Sequence, residues 1–165
     1  MTDQELDTVA EQAAAALLVR GWMLATAESC TGGWVAKVCT DLAGSSHWFE
    51  RGFVTYTNEA KQEMLAVAAE TLAAQGAVSE ATAAEMARGA LARSRAQVSL
   101  AISGIAGPGG ATAGKPVGTV CFAWARQAGG VVTRTLHLAG DREAVRRQAV
   151  AQALAGLLEF LAGDG

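Results

Sequence analysis

Between Asp3 and Arg20 the apolar positions Leu6, Val9, Ala13, Ala16 and Leu17 recur at intervals of three and four, the period of an amphipathic helix that ends before Gly21. The period then changes. Residues 22–27 form a short run that reads as a buried strand, and residues 34–42 return to helical spacing. Residues 52–57, Gly-Phe-Val-Thr-Tyr-Thr, are rich in β-branched and aromatic side chains and predict another strand, after which Asn58 can serve as the N-cap of a helix running to Leu65. Ser79 can cap the next helix, where Ala83, Met86, Ala87, Ala90 and Leu91 make a stripe facing a core. Residues 98–103 predict a third strand. Residues 117–125 and 131–138 flank a Gly129-Gly130 turn, a link so short that the two strands must pair antiparallel. Asp141 then caps a long final helix with Val145, Ala149, Ala153, Leu157 and Leu161 on one side.

Helices and strands in alternation, with one hairpin near the end, predict a three-layer α/β/α sandwich around a mixed, mostly parallel sheet of about five strands, one of them antiparallel. Ligands of such sheets sit outside the carboxyl ends of the parallel strands. The loops after Ala27, Tyr56 and Ser103 are therefore expected on one rim.

Composition narrows the function. At 165 residues the chain has the length of one domain, able to bury roughly 70% of its unfolded surface without a disulfide or metal staple. Its three cysteines, Cys30, Cys39 and Cys121, are odd in number and lack C-x-x-C spacing, and its two histidines, His47 and His137, have no partner at metal-ligand spacing. No metal or other cofactor is expected. The first twenty residues carry acids where an export signal carries positive charge, and their apolar run falls short of the ~20 residues of a span, so the expectation is a cytoplasmic protein with no membrane partner. A net charge of -3 with scattered Lys and Arg argues against nucleic acid. One small anionic ligand remains compatible, because it needs only two or three local donors.

The chemistry gathers on the predicted rim. In Glu28-Ser29-Cys30-Thr31-Gly32-Gly33 a hydroxyl stands at the start of a helix, where free amides and the positive dipole end can receive an oxyanion or a phosphate. An ordinary serine cap is the plain alternative, and Cys30 is a rival nucleophile. No histidine is placed to activate Ser29. With Asn58 as N-cap, Lys61 falls at the third helical position, where the positive helix end lowers its pKa toward that of a general base; a solvated first-turn lysine is the alternative. Tyr56, the only tyrosine, can supply a phenol donor or a stacking face. Glu28 either orients Lys61 or accepts helix-end amides.

Residues 109–116 nearly spell a phosphate-binding P-loop. Pro116 stands where that loop needs a magnesium-binding hydroxyl, and a strand pattern follows instead of a helix. The preceding Ser103-Gly104-Ile105-Ala106-Gly107-Pro108 reads as a loop exposing backbone to the same rim. Arg142 and Arg146, one turn apart on the last helix, can each reach a phosphate or simply face solvent.

Taken together, Ala27-Glu28-Ser29-Cys30-Thr31-Gly32-Gly33, residues 56–61, Gly76-Ala77-Val78-Ser79, residues 103–110, residues 115–120 and Asp141-Arg142 closely resemble the CinA C-terminal domain family. The likeness extends over nearly the whole chain and looks like the family's stand-alone form, one domain over residues 1–165. It implies deamidation of nicotinamide mononucleotide to nicotinate mononucleotide and ammonia within the pyridine nucleotide cycle, by a Ser/Lys amidohydrolase mechanism without a cofactor. By motif, Ser29 is the nucleophile and Lys61 the base, with Tyr56 beside them. Thr31, Gly32, Gly33, Ser103, Gly104, Gly107 and Arg142 are the expected substrate-binding positions, with Arg146 a rival for the phosphate. A homo-oligomer, most simply a dimer, is expected, with a nucleotide as the small-molecule partner. The competing class is a non-catalytic nucleotide-binding or interaction module linked to competence or DNA damage.

Overall fold

Side-chain alternation along the strands sorts the core into two layers. In a computed structural model that describes residues 1–163, β1 (Leu24–Glu28), β2 (Phe49–Val54), β3 (Val98–Gly104), β4 (Thr119–Arg126) and β5 (Val131–His137) form one sheet in the order β2-β1-β3-β4-β5. β2, β1 and β3 run parallel, and β4 pairs antiparallel with both neighbours, the single reversed strand that the hairpin pattern predicts. Leu24, Leu100, Ile102, Phe122 and Trp124 project to one face, where they meet α1 (Asp3–Arg20), α2 (Trp34–Thr40) and α6 (Arg142–Gly163). Ala25, Ala27, Ala101, Ala123 and Ala125 project to the other, under α3 (Asn58–Leu65), α4 (Ala69–Gln75) and α5 (Glu80–Ala92). The result is the expected α/β/α sandwich.

Central strands β1, β3 and β4 are buried almost throughout, whereas edge strands β2 and β5 are only partly covered. Among the described residues no helix is long and apolar enough to cross a membrane. The link from β1 to β2 runs through α2 on one face, and the link from β2 to β3 runs through α3, α4 and α5 on the other. The connections therefore diverge between β1 and β3 and leave a crevice at the carboxyl ends of those strands.

Several boundaries differ from the sequence pattern. β2 begins at Phe49 and stops at Val54, so Tyr56 lies beyond the strand instead of inside it. Thr57, not Asn58, is the N-cap of α3: its side chain accepts the Ala60 amide. Lys61 consequently falls at the fourth helical position. Ser79 and Asp141 do cap α5 and α6, through the amides of Thr82 and Ala144. The helix α4 and a 3-10 turn at Ser45–His47 carry no pattern strong enough to be read; neither has a side-chain cap.

Candidate active site

Ser29 directly follows β1. Its amide donates to Ile102 O at 3.0 Å and the Thr55 amide donates to Glu28 O at 2.8 Å, so ladder pairing continues past the formal strand ends on both sides. Those two bonds fix the backbone of Ser29 relative to that of Thr55 and Tyr56. From the first turn and a half of α3, Lys61 reaches back over the helix start. Its Nζ lies 2.9 Å from Ser29 Oγ, 2.9 Å from Thr55 O and 3.0 Å from Tyr56 O. The side chain is 1% exposed.

Burial favours an uncharged amine; the three partners by themselves would serve an ammonium equally well. Two of the three neighbours are carbonyls, which only accept, and the third is a hydroxyl, which can also donate. Nζ donates to Ser29 Oγ, whose own hydrogen points to Tyr56 O at 3.3 Å; a neutral amine that gives its two hydrogens to Thr55 O and Tyr56 O can instead turn its lone pair to that hydroxyl. Among the described residues Lys61 has no carboxylate at ion-pair distance. Burial pushes its pKa below the ordinary lysine value, opposed only by the Cys30 thiol nearby. The cause is thus desolvation, in place of the helix-end field expected for a third-position lysine. Cys30 goes the other way: burial raises its thiol to about 11, which leaves it a poor nucleophile at neutral pH.

Ser29, Cys30, Tyr56, Lys61, Ser103, Gly104, Gly107 and Arg142 all line one cleft of about 240 Å³, which brings the three predicted rim loops together. Ala77 and Val78, from the connection between α4 and α5, form a wall; they belong to the Gly76-Ala77-Val78-Ser79 stretch of the family resemblance but were given no place among the expected substrate-binding positions. Ser103 does not present a free hydroxyl to the cleft, because its Oγ donates to Ala77 O at 2.7 Å and ties that wall in place. Tyr56 contributes its carbonyl to the Ser29–Lys61 pair. Its exposed phenol instead accepts from Arg142 Nη2 at 3.1 Å, while Arg142 Nη1 donates to Gly107 O at 2.8 Å. Phenol and guanidinium together span the cleft mouth.

Thr31, Gly32 and Gly33 line a different groove, of about 470 Å³, with Trp34, Arg146 and Arg147. The Gly32 amide donates to Ser29 O, and the Thr31 hydroxyl donates to Glu28 Oε1 at 2.6 Å. Among the described residues, the cleft-lining amides of Cys30, Ala106 and Gly107 donate no hydrogen bond. Glu28 does not touch Lys61; it accepts the amides of Val35 and Ala36 at the start of α2. Arg146 is engaged with the carbonyls of Cys30 and Thr31. No group of three or more His, Cys, Asp or Glu among the described residues converges as metal ligands would.

Comparison with known proteins gives a consistent set of likenesses. A family model described as the CinA C-terminal domain matches residues 6–161. The nicotinamide-nucleotide amidohydrolase PncC of Escherichia coli (strain K12) is 61% identical over 154 residues, 93% of each chain. A putative competence-damage inducible protein of Symbiobacterium thermophilum is 53% identical over 95% of this chain but only 39% of its own length. The crystal structure of the competence/damage inducible protein CihA from Agrobacterium tumefaciens superposes with a TM-score of 0.92 at 45% identity, covering 96% of each chain.

Proposed function

The chain belongs to the CinA C-terminal domain family, and from that premise we propose that it is a nicotinamide-nucleotide amidohydrolase working through a Ser29 acyl-enzyme. The observation that carries the mechanism is the buried Lys61 amine 2.9 Å from Ser29 Oγ with no carboxylate to hold it charged. The substrate follows from the likeness to the amidohydrolase PncC over nearly the whole chain.

In this reading neutral Lys61 takes the Ser29 proton as Oγ attacks the carboxamide carbon of nicotinamide mononucleotide. The oxyanion is received by cleft amides not otherwise engaged, among them those of Cys30, Ala106 and Gly107. The Lys61 ammonium then protonates the leaving nitrogen, and ammonia departs. Water, deprotonated by the same amine, attacks the ester; nicotinate mononucleotide leaves and Ser29 regains its proton. Arg142 is the phosphate ligand, since it stands at the mouth with its guanidinium half engaged, while Arg146 is committed elsewhere. The Tyr56 ring, exposed beside Arg142, offers a face to the pyridinium ring. The protein acts in the cytoplasm as a homodimer in this reading, and solution scattering at twice the monomer mass is the expected result.

An ammonia-release assay over nicotinamide mononucleotide, nicotinamide and NAD, run with and without chelator, tests the assignment. Turnover of the mononucleotide that survives chelator and vanishes in Ser29→Ala is expected. Absence of turnover with all three amides would overturn it in favour of a binding module.

A further inference from the structure

Backbone bonds anchor Ser29 itself, but the turn after it enters a helix with a weak start. α2, which the turn enters, is only seven residues long, and its N-cap Gly33 offers no side chain. Two charged side chains make up the deficit. Glu28, 1% exposed, accepts from Thr31 Oγ1 and from the amides of Val35 and Ala36 at 2.6, 2.9 and 3.1 Å, and so caps α2 from seven and eight residues upstream. Arg146, in the second turn of α6, donates Nε to Cys30 O at 3.0 Å and Nη2 to Thr31 O at 3.4 Å. Its guanidinium rests over the Trp34 ring, 5.6 Å from the centroid. It does not line the Ser29 cleft.

A cation bonded to two successive carbonyls fixes the orientation of the Cys30–Thr31 and Thr31–Gly32 peptide planes, the second and third after Ser29. The reaction is sensitive to that orientation, because a nucleophile displaced by about 1 Å loses its near-attack geometry. We propose that Arg146 is a positioning residue for the Ser29 hydroxyl, acting through the carbonyls of Cys30 and Thr31, and not a ligand of the substrate phosphate. The inference rests on Ser29 being the nucleophile. Arg147 supplies an internal control: it lies over the same Trp34 ring at 5.0 Å, but bonds Asp3 and Glu143 and does not touch the turn.

The test compares Arg146→Ala, Arg146→Lys, Arg147→Ala and Ser29→Ala, with nicotinamide mononucleotide and its phosphate-free riboside as substrates. Arg146→Ala is expected to lower kcat about 100-fold for both substrates, with KM within about threefold of the parent. Added guanidinium chloride should restore part of that loss, which no general destabilisation would do. Arg146→Lys, retaining the charge but not the planar fork, should fall between, and it carries the comparison if the alanine variant does not fold. Arg147→Ala should match the parent. A rise in KM confined to the mononucleotide would make Arg146 a phosphate ligand and overturn the inference, as would parental kcat in both Arg146 variants. Full activity in Ser29→Ala would instead remove the nucleophile assignment beneath it, whatever the Arg146 variants do.

Discussion

At the residue scale the decisive contrast is between two neighbours of Ser29 that burial moves in opposite directions. Burial favours the neutral form of both Lys61 and Cys30; for an amine that means a usable base, for a thiol an inert one. Lys61→Met keeps the volume and apolar stem but removes the lone pair, so ammonia release should drop by about 10³-fold or more. The pH dependence follows from the same displacement. Between the lowered pKa of the native state and the ordinary lysine value of the unfolded chain, the unfolded state holds a proton that the native state lacks. Stability therefore rises with pH across that window and is flat on either side. Taken as the difference between parent and Lys61→Met, which cancels the opposing titration of the buried thiols, the melting temperature should rise with pH up to the ordinary lysine value. Arg142→Ala belongs to the same scale: KM for the mononucleotide should increase about tenfold or more while KM for the riboside stays put, because an Arg–phosphate pair is a bidentate charged contact.

At the element scale the helix that carries Lys61 is held by close approach. A Cβ on Gly89 of α5 would collide with the Leu65 carbonyl at the end of α3, and Leu65 is one turn beyond Lys61. Gly89→Ala must push α3 away, with an overpacking cost of about 1–3 kcal/mol and a loss of activity larger than the loss of folded protein. Denaturant titration and kcat on the same preparation separate the two. This contact was invisible in the sequence, where Gly89 reads as a weak point in a helix. The caps Ser79 and Asp141, the full span of α1 and the position of β3 were legible, because each depends on spacing or on a polar side chain placed next to its own helix. β2 was misplaced by three residues since an edge strand with partial cover carries a weak pattern. Thr57 was passed over for Asn58, two adjacent residues that cap equally well on paper. The proximity of Ser29 and Lys61 was legible, but only the phenol of Tyr56 was considered, and the contact of its carbonyl with Lys61 was not. Backbone acceptors have no signature in a sequence.

At the scale of the whole molecule the sheet separates two unlike layers, and the crevice between β1 and β3 draws on both. Ser29 comes from the strand that leads into the α2 layer, and Lys61 from the opposite one, so the pair tests the register of the entire sandwich. What sets that register is the smallness of the packing surfaces. α1 buries Ala10, Ala13 and Ala14, and α6 buries Ala149, Ala151 and Ala153. Trp124 lies so close to α6 that its Nε1 donates to Ala153 O at 2.9 Å and its ring fills the place of a Gly156 side chain. Ala153→Val should accordingly cost about 1–3 kcal/mol by chemical denaturation. Leucine-rich interiors suffer chiefly when a side chain is cut back and a void opens. Here the danger lies in growth: a single added methyl between α6 and the sheet has nowhere to go, so mutational drift should be freer at the large core positions, where one bulky side chain can replace another, than at the alanines and glycines between them.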